Sequence, residues 1–382
     1  MSRNEHLISR RSDANLRPLL VFGTRPEAIK MAPVVLECIA RPEVDPIICS
    51  TGQHREMLDQ VMAYFEIKPT LDLGLMQPGQ SLTGLTARCL ESLDAVLLEH
   101  QPDCIVAQGD TTSVMVASMV AFYHQLPVVH VEAGLRTGDL YAPWPEEFNR
   151  RVAGIVAELH CAPTERSRDA LLAEGVCQDK IRVTGNTVID ALLHTVAKER
   201  ADDARWREKY PMACGESLVL VTGHRRENFG GGLAAICDAL IELASSHPAT
   251  EFLYPVHLNP NVRGPVHEKL AGLSNVHLVP PCDYPEFVWL MDRASVVLTD
   301  SGGVQEEAPS LGTAVLVTRE KTERPEAVDA GLAELVGTDR ERIVRRVSEL
   351  LAQTKAGDGA EVKANPYGDG QSAARIVDWM LQ

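Results

Sequence analysis

Leu298-Thr299-Asp300-Ser301-Gly302-Gly303-Val304-Gln305-Glu306-Glu307 is the stretch whose reading decides the rest of the chain. An apolar, β-branched run, Ser295 to Leu298, stops at Thr299-Asp300, turns through Ser301-Gly302-Gly303 and enters a segment carrying two acids. That is a strand, a glycine turn and the start of a helix. Unpaired backbone N–H groups at a helix start attract anions. Glycine lets a phosphate approach the backbone with no Cβ in the way. Glu307, one turn in, is placed to accept hydrogen bonds from ligand hydroxyls. The same residues equally suit an ordinary capped turn with a solvated acidic face. The stretch alone leaves both open.

Upstream, the same grammar recurs. Leu19-Leu20-Val21-Phe22 reads as a buried strand ended by Gly23-Thr24-Arg25-Pro26, with a helix starting near Pro26, where proline is favoured. Val44 to Ser50 is a second strand, leading to Thr51-Gly52-Gln53-His54-Arg55. Cys104 to Ala107 precedes Gln108-Gly109-Asp110-Thr111-Thr112, and Val128 to Val131 precedes Glu132-Ala133-Gly134-Leu135-Arg136. Tyr141-Ala142-Pro143-Trp144-Pro145-Glu146-Glu147 reads as a functional loop. Further strands are expected at Leu159 to Ala162 and Ile181 to Thr184. Asn186 to Lys209 reads as one helix, and a domain boundary is placed around it. A second series follows: Leu218 to Val221, Phe252 to Val256, Val276 to Val279, Val296 to Leu298 and Ala314 to Val317. A closing helix is expected over Ser372 to Leu381.

Strands that alternate with helices and are apolar throughout mean parallel, doubly wound sheets. The expected fold is α/β, with two Rossmann-like domains whose strand ends face a central cleft. Residues 18–185 form the first domain, completed by a C-terminal helix over 366–382, and residues 186–365 form the second. Residues 1–17 read as a polar, mobile leader.

Composition narrows the function. The 382 residues carry a net charge of −16, which argues against a nucleic-acid or anionic-membrane surface. An anionic ligand must therefore be held by local cations and helix ends. Nine cysteines without a Cys-x-x-Cys pair suggest reduced thiols in a cytoplasm. No apolar stretch marks a secretory signal, and Val114 to Tyr123 is far short of the roughly 20 residues a membrane span needs. Gly230-Gly231-Gly232-Leu233-Ala234-Ala235 lies several residues beyond its strand, so a nicotinamide site is weakly supported. There is no G-x-x-x-x-G-K-[ST] loop, no G-x-S-x-G elbow and no metal-ligand spacing among His54, His130, His224 and His257.

Eight motifs in order carry a resemblance. They are Phe22-Gly23-Thr24-Arg25-Pro26-Glu27-Ala28-Ile29-Lys30, Gln53-His54-Arg55-Glu56-Met57, Gly109-Asp110-Thr111-Thr112 and Val131-Glu132-Ala133-Gly134-Leu135-Arg136-Thr137-Gly138. Pro145-Glu146-Glu147, Thr222-Gly223-His224-Arg225-Arg226-Glu227, Asp300-Ser301-Gly302-Gly303 and Thr322-Glu323-Arg324-Pro325-Glu326 complete the run. The chain from Leu19 onward resembles the non-hydrolysing UDP-N-acetylglucosamine 2-epimerases of bacterial type. The resemblance implies a GT-B fold with UDP held by the second domain and the sugar facing the first. It implies inversion at C2, interconverting UDP-N-acetylglucosamine and UDP-N-acetylmannosamine, through elimination of UDP to a 2-acetamidoglucal and re-addition. It implies no NAD and no metal, a homodimer, and supply of N-acetylmannosamine units for surface polysaccharide.

The residue types suit that chemistry. The C2–H bond has no adjacent carbonyl, so it becomes removable only as diphosphate leaves C1. The reaction then needs cations and N–H groups on the diphosphate and positioned carboxylates near C2. By resemblance Asp110, Glu132 and Glu146 are the acid/base candidates, with His224 beside the leaving group. Arg25, Ser301, Gly302 and Gly303 surround the diphosphate, Glu307 meets the ribose, and Phe287 packs near uracil. Lys30, Arg136 and Arg324 complete the binding set. Cys282 stands where the family pattern has glutamine, which bears on uracil recognition. Gln53, His54, Arg55, Gln77 and Gln80 match the region where some members bind a second, activating UDP-N-acetylglucosamine. The competing functions are a retaining glycosyltransferase of the same fold, a hydrolysing 2-epimerase and a silent nucleotide-sugar sensor.

Overall fold

The computed structural model describes residues 8, 15–52, 55–77, 79–355 and 364–382. The chain divides into two compact units, Met1–Ala191 with Tyr367–Gln382, and Leu192–Pro366.

The first unit is built on a seven-stranded sheet: β1 (Pro18–Phe22), β2 (Ile47–Ser50), β3 (Leu71–Asp72), β4 (Cys104–Gln108), β5 (Val128–Val131), β6 (Leu159–Ala162) and β7 (Ile181–Val183). Their spatial order is β3-β2-β1-β4-β5-β6-β7, and every pairing is parallel. The second unit holds six: β8 (Ser217–Thr222), β9 (Thr250–Pro255), β10 (Val276–Val279), β11 (Val296–Thr299), β12 (Ala314–Val317) and β13 (Ala333–Leu335). Their order is β10-β9-β8-β11-β12-β13, again parallel throughout. Both are doubly wound α/β sheets.

Burial explains the sequence pattern. Every residue of β1, β4, β5 and β11 is buried, because helices cover both faces of a parallel sheet. Such strands have no polar face, hence the unbroken apolar runs. The first core gathers Leu19, Val21, Ile105 and Ala107 under Leu93, Leu97, Val116 and Val120. The second gathers Val219, Val221, Phe252, Tyr254 and Leu298 under Leu240, Leu243 and Ile343.

In each sheet the chain reverses its direction of winding between two central neighbours, β1 with β4 and β8 with β11. Ligands of open α/β sheets bind beyond the strand ends at such reversals. The turns after β1, β4, β8 and β11 are the ones the motifs occupy.

Several boundaries differ from the sequence reading. β3 and β13 were not expected; two or three residues at a sheet edge carry no apolar run to reveal them. The segment from Asn186 to Lys209 is two helices, Thr187–Ala201 and Ala204–Lys209. Asp203 is the N-cap residue of the second helix and pairs with Arg207, one turn in, at 2.6 Å. The division between units falls inside the first of these helices, at Ala191/Leu192. Residues 15–17, expected in the leader, belong to the first unit: Leu16 is fully buried and bridges to Val44, and the Arg17 N–H donates to Asp103 at 2.8 Å. Apart from Ile8, the rest of that leader lies outside the described residues.

Candidate active site

In the first unit the turn after β1 opens the helix Arg25–Ala40. Thr24 is its N-cap, and the buried Glu27 carboxylate reaches back to accept from Gly23 N at 2.9 Å and Thr24 N at 2.7 Å. This capping box is closed by the Thr111 hydroxyl, which donates to the other Glu27 oxygen and so ties the turn after β4 to the turn after β1. Burial pushes the Glu27 carboxyl up, against those hydrogen bonds. Gly23 has to be glycine: a Cβ there would lie 1.9 Å from Thr51 Oγ1. Arg25, at the first helical position, is half-buried and makes no hydrogen bond or ion pair among the described residues. Its charge is available to a ligand.

One turn on, Lys30 meets Glu132 from the turn after β5. Nζ lies 2.6 and 2.7 Å from the two carboxylate oxygens. Gln108 and Asn186 also donate to the same carboxylate, Asn186 at 3.2 Å. Glu132 takes a φ of 62°, in the left-handed region that non-glycine residues seldom occupy. Such strain persists where surrounding bonds over-determine it, as four donor contacts do here, and it concentrates at functional sites.

Asp110 follows Gly109, whose φ of 83° turns the chain sharply after β4. A Cβ on Gly109 would stand 3.8 Å from Glu132 Oε2, so the two acidic turns are neighbours. Asp110 pairs with Arg150, and its carbonyl accepts from Asn149 Nδ2 at 2.9 Å. Arg150 also contacts Glu147, a fully buried carboxylate that accepts from Thr137 N at 3.2 Å and Arg151 Nε at 3.0 Å. Glu146, expected in a loop, lies in the first turn of the helix Glu146–Val156, half-buried and without a partner among the described residues. Of the three carboxylates expected to move protons, one is fourfold held, one is paired and one is open.

Arg136 does not join this group. Its guanidinium makes a bidentate pair with Glu174 at 2.8 and 2.8 Å, which holds the Glu174 carboxyl below its usual range. Gln77 and Gln80 bond to each other, Gln77 N to Gln80 Oε1 at 3.1 Å, and Arg88 also donates to Gln80. Gln53 and His54 lie outside the described residues, as does the side chain of Arg55.

In the second unit, β8 and β11 run side by side with Thr222 opposite Thr299 and their hydroxyls 2.6 Å apart. The turns beyond them are joined by Asp300. This fully buried carboxylate accepts from the backbone N–H groups of His224 and Arg225, each at 2.9 Å, and from Asn228 Nδ2 at 3.4 Å. His224 Nδ1 lies 3.3 Å from the other Asp300 oxygen, and the His224 ring stacks on His257 at 5.8 Å. Burial lowers the proton affinity of His224, while Asp300 raises it. Ser301 N-caps the short helix Gly302–Glu307 with no side-chain bond of its own. Neither Gly302 nor Gly303 is demanded by the fold: a Cβ on either would stand 3.8 Å from the nearest atom.

Glu307 is buried and accepts from the Tyr284 hydroxyl at 3.4 Å. Arg324 pairs with the buried Glu306. Phe287 is half-buried on the helix Tyr284–Arg293, between the fully buried Glu286 and Val288. Cys282 lies 4.0 Å from the Tyr210 hydroxyl, and burial pushes its thiol up to about 12. The small space behind the β8 turn, lined by Thr222, Asn228, Tyr254 and Asp300 among others, holds about 10 Å³. That is one water's worth and no nucleotide pocket.

Sequence reasoning missed Gln108, Asn186, Arg150 and the joining role of Asp300. Gln108 and Asp300 had a signal, since each ends or directly follows a strand leading into a motif. Asn186 and Arg150 had none. Among the described residues no three His, Cys, Asp or Glu side chains gather as metal ligands, and no helix is long and apolar enough to cross a membrane.

Two Rossmann-like units of this strand order are the pair from which the GT-B fold of nucleotide-sugar enzymes is made. The model of the UDP-N-acetylglucosamine 2-epimerase family matches residues 36–381, and the chain belongs to that family. The UDP-N-acetylglucosamine 2-epimerase of Salmonella typhimurium is 53% identical over 366 residues, 95% of this chain and 97% of that protein. The Neisseria meningitidis enzyme, solved bound to UDP-GlcNAc, is 46% identical with a TM-score of 0.86, over 96% of this chain and 100% of that one. The Methanocaldococcus jannaschii enzyme, solved in complex with UDP-GlcNAc and UDP, is 30% identical with a TM-score of 0.77, over 95% and 99%.

Proposed function

We propose that this chain interconverts UDP-N-acetylglucosamine and UDP-N-acetylmannosamine by eliminating UDP and adding it back. The observation that carries the reading is the Asp110, Glu132 and Lys30 cluster at the ends of β4, β5 and β1. Loss of UDP breaks the C1–O bond with its electron pair going to the diphosphate, and a carboxylate takes the C2 proton, leaving 2-acetamidoglucal. Re-addition returns UDP to C1 while a second acid delivers a proton to the opposite face of C2. Two acid/base groups in different environments are what inversion requires. Asp110, Glu132 and Glu146 are the groups assigned to that work.

In the second unit, His224, Ser301, Gly302 and Gly303 hold the diphosphate. In the first unit, Arg25 and Lys30 are the basic residues assigned to the UDP-sugar. Glu307 meets the ribose, and Phe287 and Cys282 lie at the uracil end; Arg136 and Arg324 act through their carboxylate partners. Room for a Cβ at both glycines supports this, since the fold itself gives no reason for bare backbone there. The product serves surface polysaccharide synthesis in a cytoplasm, a setting that suits nine cysteines with no disulfide.

We further propose a homodimer, supported by Phe122, Tyr123 and Ile155, exposed on two helices that pack together. Activation by a second UDP-N-acetylglucosamine at Gln53, His54, Arg55, Gln77 and Gln80 completes the proposal. A hyperbolic rate curve for the mannosamine substrate, unchanged by added UDP-N-acetylglucosamine, would rule that out.

Incubation with UDP-N-acetylglucosamine in D2O, without acceptor, tests the main reading. Deuterium at C2 and formation of the manno epimer are expected. Release of free N-acetylmannosamine and UDP would mean a hydrolysing enzyme, and no exchange at all would refute epimerisation. Asp110→Asn is expected to bind UDP normally and to lose about 100-fold or more in exchange rate.

A further inference from the structure

We propose that Asp300 is a positioning residue for His224. It fixes the imidazole and holds a proton on Nδ1, so that Nε2 is the nitrogen offered to the diphosphate. The inference rests on UDP binding at His224 as proposed above, and deepens it.

Asp300 sits at the end of β11 and His224 just beyond the end of β8, 76 residues apart in sequence. The Asp300 side chain is fully buried, yet it does not cap the helix it precedes. Instead Oδ2 accepts from the N–H groups of His224 and Arg225 at 2.9 Å each, and Asn228 Nδ2 adds a third contact at 3.4 Å. Asn228 is itself anchored on the Thr318 carbonyl at 3.0 Å. These bonds set the carboxylate's rotamer and leave Oδ1 with one counterpart, the His224 Nδ1 at 3.3 Å. Among the described residues, Oδ1 has no hydrogen bond of proper angle. A small rotation of the imidazole supplies one, as happens when catalytic bonds tighten on a ligand.

A carboxylate oxygen can only accept, so the nitrogen facing it must carry hydrogen. Nδ1–H then faces inward, and Nε2 is left for the ligand. An anion at Nε2 favours the imidazolium, whose Nε2–H donates a hydrogen bond to it. Three other groups bear on that charge. The neighbouring Arg225 and the stacked ring of His257 oppose it, and Glu323, 4.0 Å from Arg225, partly offsets Arg225. His257 accepts the Asn259 N–H on its Nδ1 at 3.1 Å. Among these described residues, Asp300 is the group in contact with His224 that favours the cation. An Asp–His pair of this kind orients the ring and sets its tautomer without itself touching the substrate.

The test uses the full-length protein with UDP as the probe. In ¹⁵N-histidine spectra, comparison with His224→Gln picks out the His224 signals among the twelve histidines. The neutral ring is expected as the Nδ1–H tautomer, and an Nε2–H tautomer in the wild-type protein would overturn the proposal. Asp300→Asn, which can present its NH₂ to the ring, is expected to shift His224 to Nε2–H. Its UDP affinity should fall about tenfold at pH 8, one pKa unit's worth, and by a clearly smaller factor at pH 5.5, where the wild-type ring is already closer to full protonation. The ratio of the two proteins' affinities cancels the titration of UDP itself. An equal loss at both pH values would reduce Asp300 to a structural prop and overturn the proposal. Should Asp300→Asn not fold, the wild-type tautomer still decides. Absence of epimerisation by the wild type would refute the proposed reaction while leaving the tautomer measurement intact.

Discussion

Lys30 and Glu132 form a bidentate ion pair beyond the end of the first sheet, with Nζ 2.6 and 2.7 Å from the two carboxylate oxygens. Their side chains are 17% and 8% exposed, so water screens the pair little. Removing one partner of a buried pair strands the other charge, which costs about 3–5 kcal/mol. Lys30→Met and Glu132→Gln are each expected to lower the unfolding free energy by that order in urea titrations. The double variant should cost less than the sum by at least about 1 kcal/mol. Strict additivity would show that the two groups do not stabilise one another.

His160 on β6 stands opposite His130 on β5, and both are buried. Burial drives the His160 imidazole down to about 3, so it stays neutral in the folded protein at every ordinary pH. In the unfolded chain it protonates near pH 6.5. The folded value is depressed, so stability is full above about pH 6.5 and falls as pH drops toward 3. At pH 5 this one residue costs about 2 kcal/mol relative to pH 7.5. His160→Gln should narrow the difference in unfolding free energy between those pH values by about that amount. An unchanged difference would mean that His160 is charged in the native state.

The alternation of strand and helix was plain in the sequence because strands buried on both faces, such as Cys104–Gln108, leave an unbroken apolar signature. Edge strands as short as Leu71–Asp72 leave none. The site was legible as turns and residue types, not as partnerships. Nothing local tells that Asp300 serves the His224 turn, or that Arg136 is engaged by Glu174, 38 residues away. A charged residue after a strand announces only that it stands near the strand's end. Which group it meets is set by sheet order, and that follows from winding and burial over the whole unit.

Among the nine cysteines, Cys177 and Cys214 are exposed, Cys282 is half-buried and the other six are buried. A thiol held up to about 12, as at Cys282, offers little thiolate at pH 8. Ellman's reagent at pH 8 is expected to modify two thiols quickly and Cys282 far more slowly, with all nine reacting in denaturant. Rapid modification of a third thiol would place Cys282 in a more open and more polar environment than the Tyr210 hydroxyl and the Pro280 carbonyl give it.

Gly303 and Gly134 separate what the fold needs from what a ligand would need. At Gly134 φ is 91°, and a Cβ would lie 2.2 Å from the Ser167 carbonyl oxygen, a backbone atom that cannot yield cheaply. Gly134→Ala is therefore expected to destabilise the first unit by about 1–3 kcal/mol or more. At Gly303 φ is not in the left-handed region, and a Cβ would meet Glu307 Oε2 at 3.8 Å, an ordinary contact. Gly303→Ala should leave thermal stability within about 0.5 kcal/mol of wild type, since alanine also suits a helix start better than glycine does. If a phosphate approaches this backbone, however, the added methyl stands in its path. UDP affinity measured by calorimetry should then fall at least about tenfold, 1.4 kcal/mol, with the fold intact. Unchanged affinity would remove the Asp300 to Glu307 turn from the diphosphate's surroundings and leave it a plain capped helix start.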